Sequence, residues 1–188
     1  MLYLIRHGQT NLNKTRRWNC QSDEDINEEG IKQAEAAADA VEKLPLDLIL
    51  CSPLIRTRHT CEIINRNHVP VIYDKRLMER CGGIITGQPY EYYDHDLYYN
   101  LNTKDFPEGM EPLSDFMGRV HELLKEVEEK YREKNVLLVT HGGVSRCVKY
   151  YFEPIPENGA INKDSKTQNC EIRAFAFGVG EIKMEEQV

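Results

Sequence analysis

Leu46-Asp47-Leu48-Ile49-Leu50-Cys51-Ser52-Pro53-Leu54-Ile55-Arg56 opens as a short apolar run and breaks off into a polar, then basic, turn. A run this short, ended by turn residues, reads as a buried strand over Leu46 to Leu50. Ser52 and Pro53 then read as the N-cap and first residue of a helix through about Asn65. The same change occurs twice more, where Leu2 to Ile5 runs into Arg6-His7-Gly8 and where Val136 to Thr140 runs into His141-Gly142-Gly143. Short strands alternating with helical patterns predict an α/β domain, a three-layer α/β/α sandwich around a mostly parallel central sheet.

Outward from these strands, Ile31, Ala34, Ala38 and Val41 recur at helical spacing. They predict a helix from about Glu28 to Leu44, N-capped by Asn27, with Gly30 weakening its first turn. Val69 to Tyr73 reads as a strand. Phe116, Val120, Leu123, Leu124, Val127 and Tyr131 form a second helical stripe, and Gly143 to Phe152 a further helix. A polar loop follows from Glu153 to Asn169, and then strand candidates at Ile172 to Phe177 and Glu181 to Met184. Between Gly82 and Glu111 the periodicity fails, which predicts a lid-like excursion with a short helix after Pro89. With no repeat, linker or low-complexity tract, residues 1–188 are expected to form one domain.

Lys and Arg number 24 against 31 Asp and Glu, a formal charge of −7. That balance argues against general nucleic-acid or anionic-membrane binding, which depends on Lys and Arg, but leaves room for a local positive pocket. The six cysteines show no C-x-x-C pair and are expected to be reduced thiols. No apolar run approaches the roughly 20 residues of a membrane span. Arg6 also interrupts the N-terminal apolar stretch too early for a leader. The expectation is a soluble cytoplasmic protein.

In open α/β sheets ligands bind beyond the carboxyl ends of the strands. If the three strands are parallel neighbours, their ends bring together His7, His141, Arg6, Arg56, glycine N–H groups and helix N-termini. Such a set favours an anion, and guanidinium groups match phosphate oxygens in particular. His7 and His141 each follow a buried strand and precede glycine. His59, His68, His95 and His121 read as ordinary surface or core histidines. By pattern alone Arg56 fits a solvated first-turn arginine equally well. The neighbouring Arg16 and Arg17 are both open as site residues. Zinc ligation by His7 and His141 lacks the accompanying ligand spacing, so no metal is expected.

Leu4-Ile5-Arg6-His7-Gly8-Gln9-Thr10 resembles the R-H-G-[EQ]-T signature of the histidine phosphatase superfamily, which includes the cofactor-dependent phosphoglycerate mutases. The resemblance runs on through Asn13, Asp23 to Gly30, Ser52-Pro53-Leu54-x-Arg56, Leu77-Met78-Glu79 and Val139-Thr140-His141-Gly142-Gly143, in order along nearly the whole chain. It implies a phosphoglycerate mutase-like fold, with His7 as nucleophile and Arg6, Arg56 and His141 on the phosphoryl oxygens. It further implies hydrogen bonds from Asn13 and the Gly142 N–H, Glu79 as proton donor to the leaving oxygen, and no cofactor. The chain departs from the pattern at Gln9, where Glu is common, and at Asn19-Cys20, where a glycine is common. Pro107 to Glu111 resembles the family's P-x-G-E-S stretch with Met110 intruding, which makes Glu111 a further candidate carboxylate.

From Leu77 to Gly118 there are eight acids against two bases. A mutase retaining a bisphosphorylated glycerate is expected to carry several Lys and Arg here, on a longer insertion. Five tyrosines (Tyr90, Tyr92, Tyr93, Tyr98 and Tyr99) share the segment, either packing it onto the core or stacking on a leaving group. The expected function is a phosphomonoester hydrolase acting on a small phosphorylated metabolite with an uncharged, aromatic or zwitterionic body. A phosphoglycerate mutase and a non-catalytic phospho-ligand binding module are the alternatives.

Overall fold

Strand β1 (Leu2–Arg6) pairs in parallel with β4 (Val136–Thr140) on one side and antiparallel with β5 (Ile172–Ala176) on the other. The computed structural model describes residues 1–161 and 167–184; positions 162–166 of the expected polar loop and the last four of the expected domain lie outside the described residues. Strand β2 (Leu48–Cys51) runs parallel to both β4 and β3 (Val71–Tyr73), and β6 (Gly180–Ile182) is antiparallel to β5. The order is therefore β3-β2-β4-β1-β5-β6, a mostly parallel six-stranded sheet as expected.

The central strands are buried on both faces, and their two-residue alternation sorts side chains between two cores. Leu2, Leu4, Leu48, Leu50, Val136 and Leu138 pack with α5 (Leu113–Lys130) and α6 (Gly142–Phe152). Tyr3, Ile5, Ile49, Leu137 and Val139 pack with α2 (Glu28–Glu42) and α3 (Ile55–Ile64). These are the three expected layers. Among the described residues no helix is long and apolar enough to cross a membrane.

Several boundaries differ for identifiable reasons. Helix α3 begins at Ile55, because the Ser52 hydroxyl is engaged by His141 and provides no cap bond to α3. Asp23 Oδ1 instead accepts from the Ile55 N–H at 3.1 Å. Strand β3 starts at Val71 because the Asn65 side chain takes both the N–H and the carbonyl of Val69. Asn27 caps α2 as expected, its Oδ1 accepting from the Gly30 N–H at 2.9 Å. Gly30 has a reason that helix propensity does not reveal: a Cβ there would collide with the backbone of Gln9. The loop after β1 thus lies directly against the first turn of α2.

The excursion at 82–111 is a built wall. It holds three-residue 3-10 turns at Gly83–Ile85 and Tyr90–Tyr92 and the short helix His95–Tyr98 expected after Pro89. Ile85, Tyr98, Tyr99 and Met110 are buried in the core. Backbone bonds tie it to the loop after β1, from Trp18 N–H to Gln88 O, Gly87 N–H to Trp18 O and Tyr90 N–H to Arg16 O. The fully buried Arg80 donates to the carbonyls of Glu111 and Tyr98 and lies over the Tyr98 ring.

Candidate active site

Because β2, β4 and β1 are neighbours, their carboxyl ends form one edge. The His7 N–H donates to Thr140 O at 2.9 Å, and the Ser52 N–H to Val139 O at 3.0 Å. Beyond that edge opens a cavity of about 550 Å³, within the range of small-molecule sites. Arg6, His7, Asn13, Arg56, Glu79 and Gly142 all line it. His141 is fully buried beside His7, with ring centroids 5.3 Å apart, and is not part of the cavity wall.

His7 Nδ1 lies 2.7 Å from the Gly8 carbonyl oxygen. A carbonyl only accepts, so Nδ1 carries the proton and Nε2 keeps its lone pair. Burial, reinforced by the charges of Arg56 and Arg6, holds the imidazole well below its ordinary pKa and therefore neutral. His141 is lowered likewise by burial and by Arg56. Its Nε2 is 2.8 Å from Ser52 Oγ, which itself accepts from the Leu54 N–H. With Ser52 donating its hydroxyl proton to Nε2, the hydrogen of His141 sits on Nδ1.

That Nδ1, Arg6 Nε and Arg56 Nε are buried without a hydrogen-bond partner among the described residues. Buried donors are ordinarily satisfied, and unpartnered donors on two arginines that line one cavity, with His141 behind His7, mark a site for an acceptor. Arg6 is braced through Nη1 on Thr167 O, and Arg56 through Nη1 and Nη2 on the carbonyls of Ser22 and Cys20. Burial lowers the Arg56 pKa to about 10, which leaves the guanidinium charged at neutral pH. Asn13 Oδ1 accepts from the Thr10 N–H in a capping box, which leaves its Nδ2 to the cavity.

Glu79 Oε1 accepts from the Arg80 N–H and Oε2 from the Gly143 N–H, both at 2.9 Å. A Cβ at Gly143 would collide with Oε1, so glycine is required by the approach of the carboxylate. The expected offer of N–H groups by the α6 N-terminus is thus partly taken by Glu79. Arg119 donates to the carbonyls of Arg76, Met78 and Glu79 and pairs in bidentate fashion with Glu111. Glu111 is accordingly a brace for this loop and does not line the cavity, contrary to its reading as a site carboxylate.

Other expectations are also corrected. Of the eight acids counted between Leu77 and Gly118, Glu79 alone lines the cavity. The acidity of the segment therefore does not describe the chamber a substrate enters. Arg16 lines it, whereas Arg17 donates to Gly87 O. His95, read as an ordinary histidine, also lines it and stacks on Trp18. Cys20 has a left-handed backbone, φ +43°, a conformation that glycine adopts most readily. Burial pushes its thiol up to about 11.

Sequence reasoning missed Trp18, Arg146 and the stretch 167–169. Arg146 was detectable, since it lies four residues after Gly142 and so on the same helical face. Residues 167–169 reach the site because β5 runs antiparallel beside β1, where Asn169 Nδ2 donates to His7 O at 2.8 Å. Among the described residues no group of three or more His, Cys, Asp or Glu side chains is placed to hold a metal ion.

The model of the histidine phosphatase superfamily (branch 1) matches residues 2–187. The chain is 33% identical over 144 residues to an uncharacterised phosphatase, PhoE, of Bacillus subtilis, covering 74% of this chain and 70% of that protein. It is 28% identical over 179 residues to a probable phosphoglycerate mutase, GpmB, of Yersinia pestis, covering 91% and 82%. A mycobacterial glucosyl-3-phosphoglycerate phosphatase superposes with a TM-score of 0.79 at 26% identity, over 92% of this chain and 87% of that one. A phosphoglycerate mutase from Thermus thermophilus does so with a TM-score of 0.76 at 27% identity, over 97% and 96%.

Proposed function

The chain belongs to the histidine phosphatase superfamily (branch 1), and on that premise we propose that it hydrolyses phosphomonoesters through a phosphohistidine intermediate. The observation that carries this reading is the neutral His7, with its proton fixed on Nδ1 and its Nε2 lone pair retained at the head of a cavity rich in guanidinium groups.

His7 Nε2 attacks phosphorus, forming an N–P bond as the ester P–O bond breaks. Glu79, in its protonated form, gives its proton to the departing oxygen. Arg6, Arg56 and His141 Nδ1 hold the phosphoryl oxygens, with Asn13 Nδ2 and the Gly142 N–H beside them, where negative charge must be stabilised through the transfer. In the second step water attacks phosphorus, Glu79 takes its proton, and the N–P bond breaks to release phosphate and restore His7. The covalent route replaces one difficult displacement with two easier ones. All six cysteines are free, which supports a reducing compartment such as the cytoplasm.

A panel of phosphomonoesters tests this reading, including 3-phosphoglycerate with and without its bisphosphate, with inorganic phosphate and isomers followed together. Phosphate without isomer is expected. Isomer without phosphate would make the protein a mutase, and neither product across the panel would favour a binding module.

A further inference from the structure

His7 is followed by a glycine whose Cα has no room for a side chain. A Cβ on Gly8 would stand 2.5 Å from the backbone carbonyl oxygen of Gly30. Glycine is also the least restrained residue in a chain, and the carbonyl that fixes the His7 tautomer belongs to this one. Restraint at the joint must therefore come from outside it.

Two side chains supply it, on opposite edges of one peptide plane. The peptide group between His7 and Gly8 is planar, so its C=O and N–H can turn only together. Asn169 Nδ2 donates to the C=O, which is the His7 oxygen, at 2.8 Å, and Thr60 Oγ1 accepts from the N–H, which is that of Gly8, at 3.1 Å. The Thr60 hydroxyl in turn donates to Arg56 O at 2.7 Å, tying this edge to α3. The other edge meets the chain just before β5, where the ladder with β1 runs out. The ladder ends with Ile5 opposite Ile172. Cys170 N–H still donates to Arg6 O, but its left-handed backbone, φ 57°, carries the chain away from β1. The Asn169 side chain thus gives His7 O the donor that the backbone no longer offers.

We infer that Asn169 and Thr60 are positioning residues for His7, a clamp on the His7–Gly8 peptide that keeps the Gly8 carbonyl on Nδ1 and Nε2 aimed at phosphorus. Their role rests on the phosphatase reading, in which His7 is the nucleophile. Thr60 is fully buried and does not line the cavity, so its effect on the reaction passes through the peptide. Asn169 lines the cavity, yet its amide nitrogen is engaged by the His7 backbone. Without the clamp the peptide turns, Nδ1 loses its acceptor, and the proton moves in part to Nε2, the tautomer that cannot attack.

The test reads tautomer and rate in Asn169→Ala, Thr60→Val and Thr60→Ser. With the imidazole nitrogens isotopically labelled, NMR at neutral pH is expected to show the wild-type His7 proton on Nδ1, the His7 signals being those lost in His7→Ala. In Asn169→Ala and Thr60→Val a share of the proton should appear on Nε2. With p-nitrophenyl phosphate, the first-turnover rate at saturation should fall by about tenfold or more in both, and the half-saturating ester concentration should change by less than about threefold, as for a misplaced reacting group. Thr60→Ser, which keeps the hydroxyl, should retain the tautomer and most of the rate. Wild-type tautomer and rate in Asn169→Ala, a half-buried position, overturn the clamp even if Thr60→Val does not fold. A loss confined to the half-saturating concentration, or a loss of rate with the tautomer unchanged, overturns it too. A wild-type protein that hydrolyses no ester overturns the phosphatase reading, and the tautomer then decides the clamp by itself.

Discussion

The Nδ1 atom of His7 stands 2.7 Å from the carbonyl oxygen of Gly8, the residue that follows it. This contact fixes the tautomer and orients the ring, and it leaves one nitrogen capable of attack. The Gly8 N–H is itself held by Thr60 Oγ1 at 3.1 Å, so the accepting carbonyl belongs to a fixed turn. Nucleophile orientation is thus supplied by backbone and by α3, with no carboxylate in the relay.

His7 and His141 are both held neutral, their pKa values well below the ordinary 6.5. As pH falls below about 6.5, the unfolded chain takes up protons on these imidazoles that the folded chain refuses. Folding stability is therefore complete above that pH and declines below it, by up to about 1.4 kcal/mol per pH unit for each imidazole. Denaturant titrations between pH 7.5 and 5 should show this decline, and replacing His141 by Gln should reduce its slope. An unchanged midpoint over that range would contradict neutral burial.

Glu79→Gln keeps an amide oxygen for one backbone N–H but cannot exchange a proton. For alkyl phosphates kcat is expected to drop by roughly 10² to 10⁴. With p-nitrophenyl phosphate, whose leaving group needs little protonation, the first step should survive and water attack become slow. A burst of nitrophenol followed by slow turnover would reveal this in a stopped-flow trace. Equal losses for both ester types, with no burst, would remove Glu79 as the proton donor.

Arg119 acts through Glu79, since it binds the carbonyls of Arg76, Met78 and Glu79 itself but does not line the cavity. Arg119→Met should lower kcat with a smaller change in KM, and the loss should be larger for alkyl than for nitrophenyl esters, as in Glu79→Gln. Arg119→Lys, unable to span the fork to Glu111, should restore only part of the rate. A loss independent of the leaving group would indicate damage to folding alone.

Two glycine-to-alanine changes should move stability in opposite directions. At Gly30 the added methyl meets the Gln9 backbone, and the forced shift should cost about 1–3 kcal/mol. At Gly118, exposed on α5, nothing lies within 4 Å of an added Cβ, and alanine should stabilise by roughly 0.5–1 kcal/mol. Thermal melts of the two variants check the pair.

Sheet and helices were legible because the strands announce themselves by composition and end abruptly in chemistry-bearing residues. Leu2 to Ile5 running into Arg6-His7-Gly8 needs only local reading. The roles of Ser52 and Gly30 were misjudged because both depend on partners far along the chain: His141 draws Ser52 away from a helix cap, and Gln9 demands glycine at position 30. The acid count failed for a related reason. A one-dimensional window cannot tell an inward Glu79 from a Glu111 ion-paired with Arg119, or see Arg16 and Arg146 arrive from other elements.

The most direct test is rapid acid-free quenching of the protein with a hydrolysed phosphomonoester, followed by mapping of the phosphorylated residue and of its ring isomer. The geometry predicts an acid-labile phosphoryl group on Nε2 of His7, absent from His7→Ala. A label on Nδ1, on another residue, or persisting in His7→Ala would contradict the account.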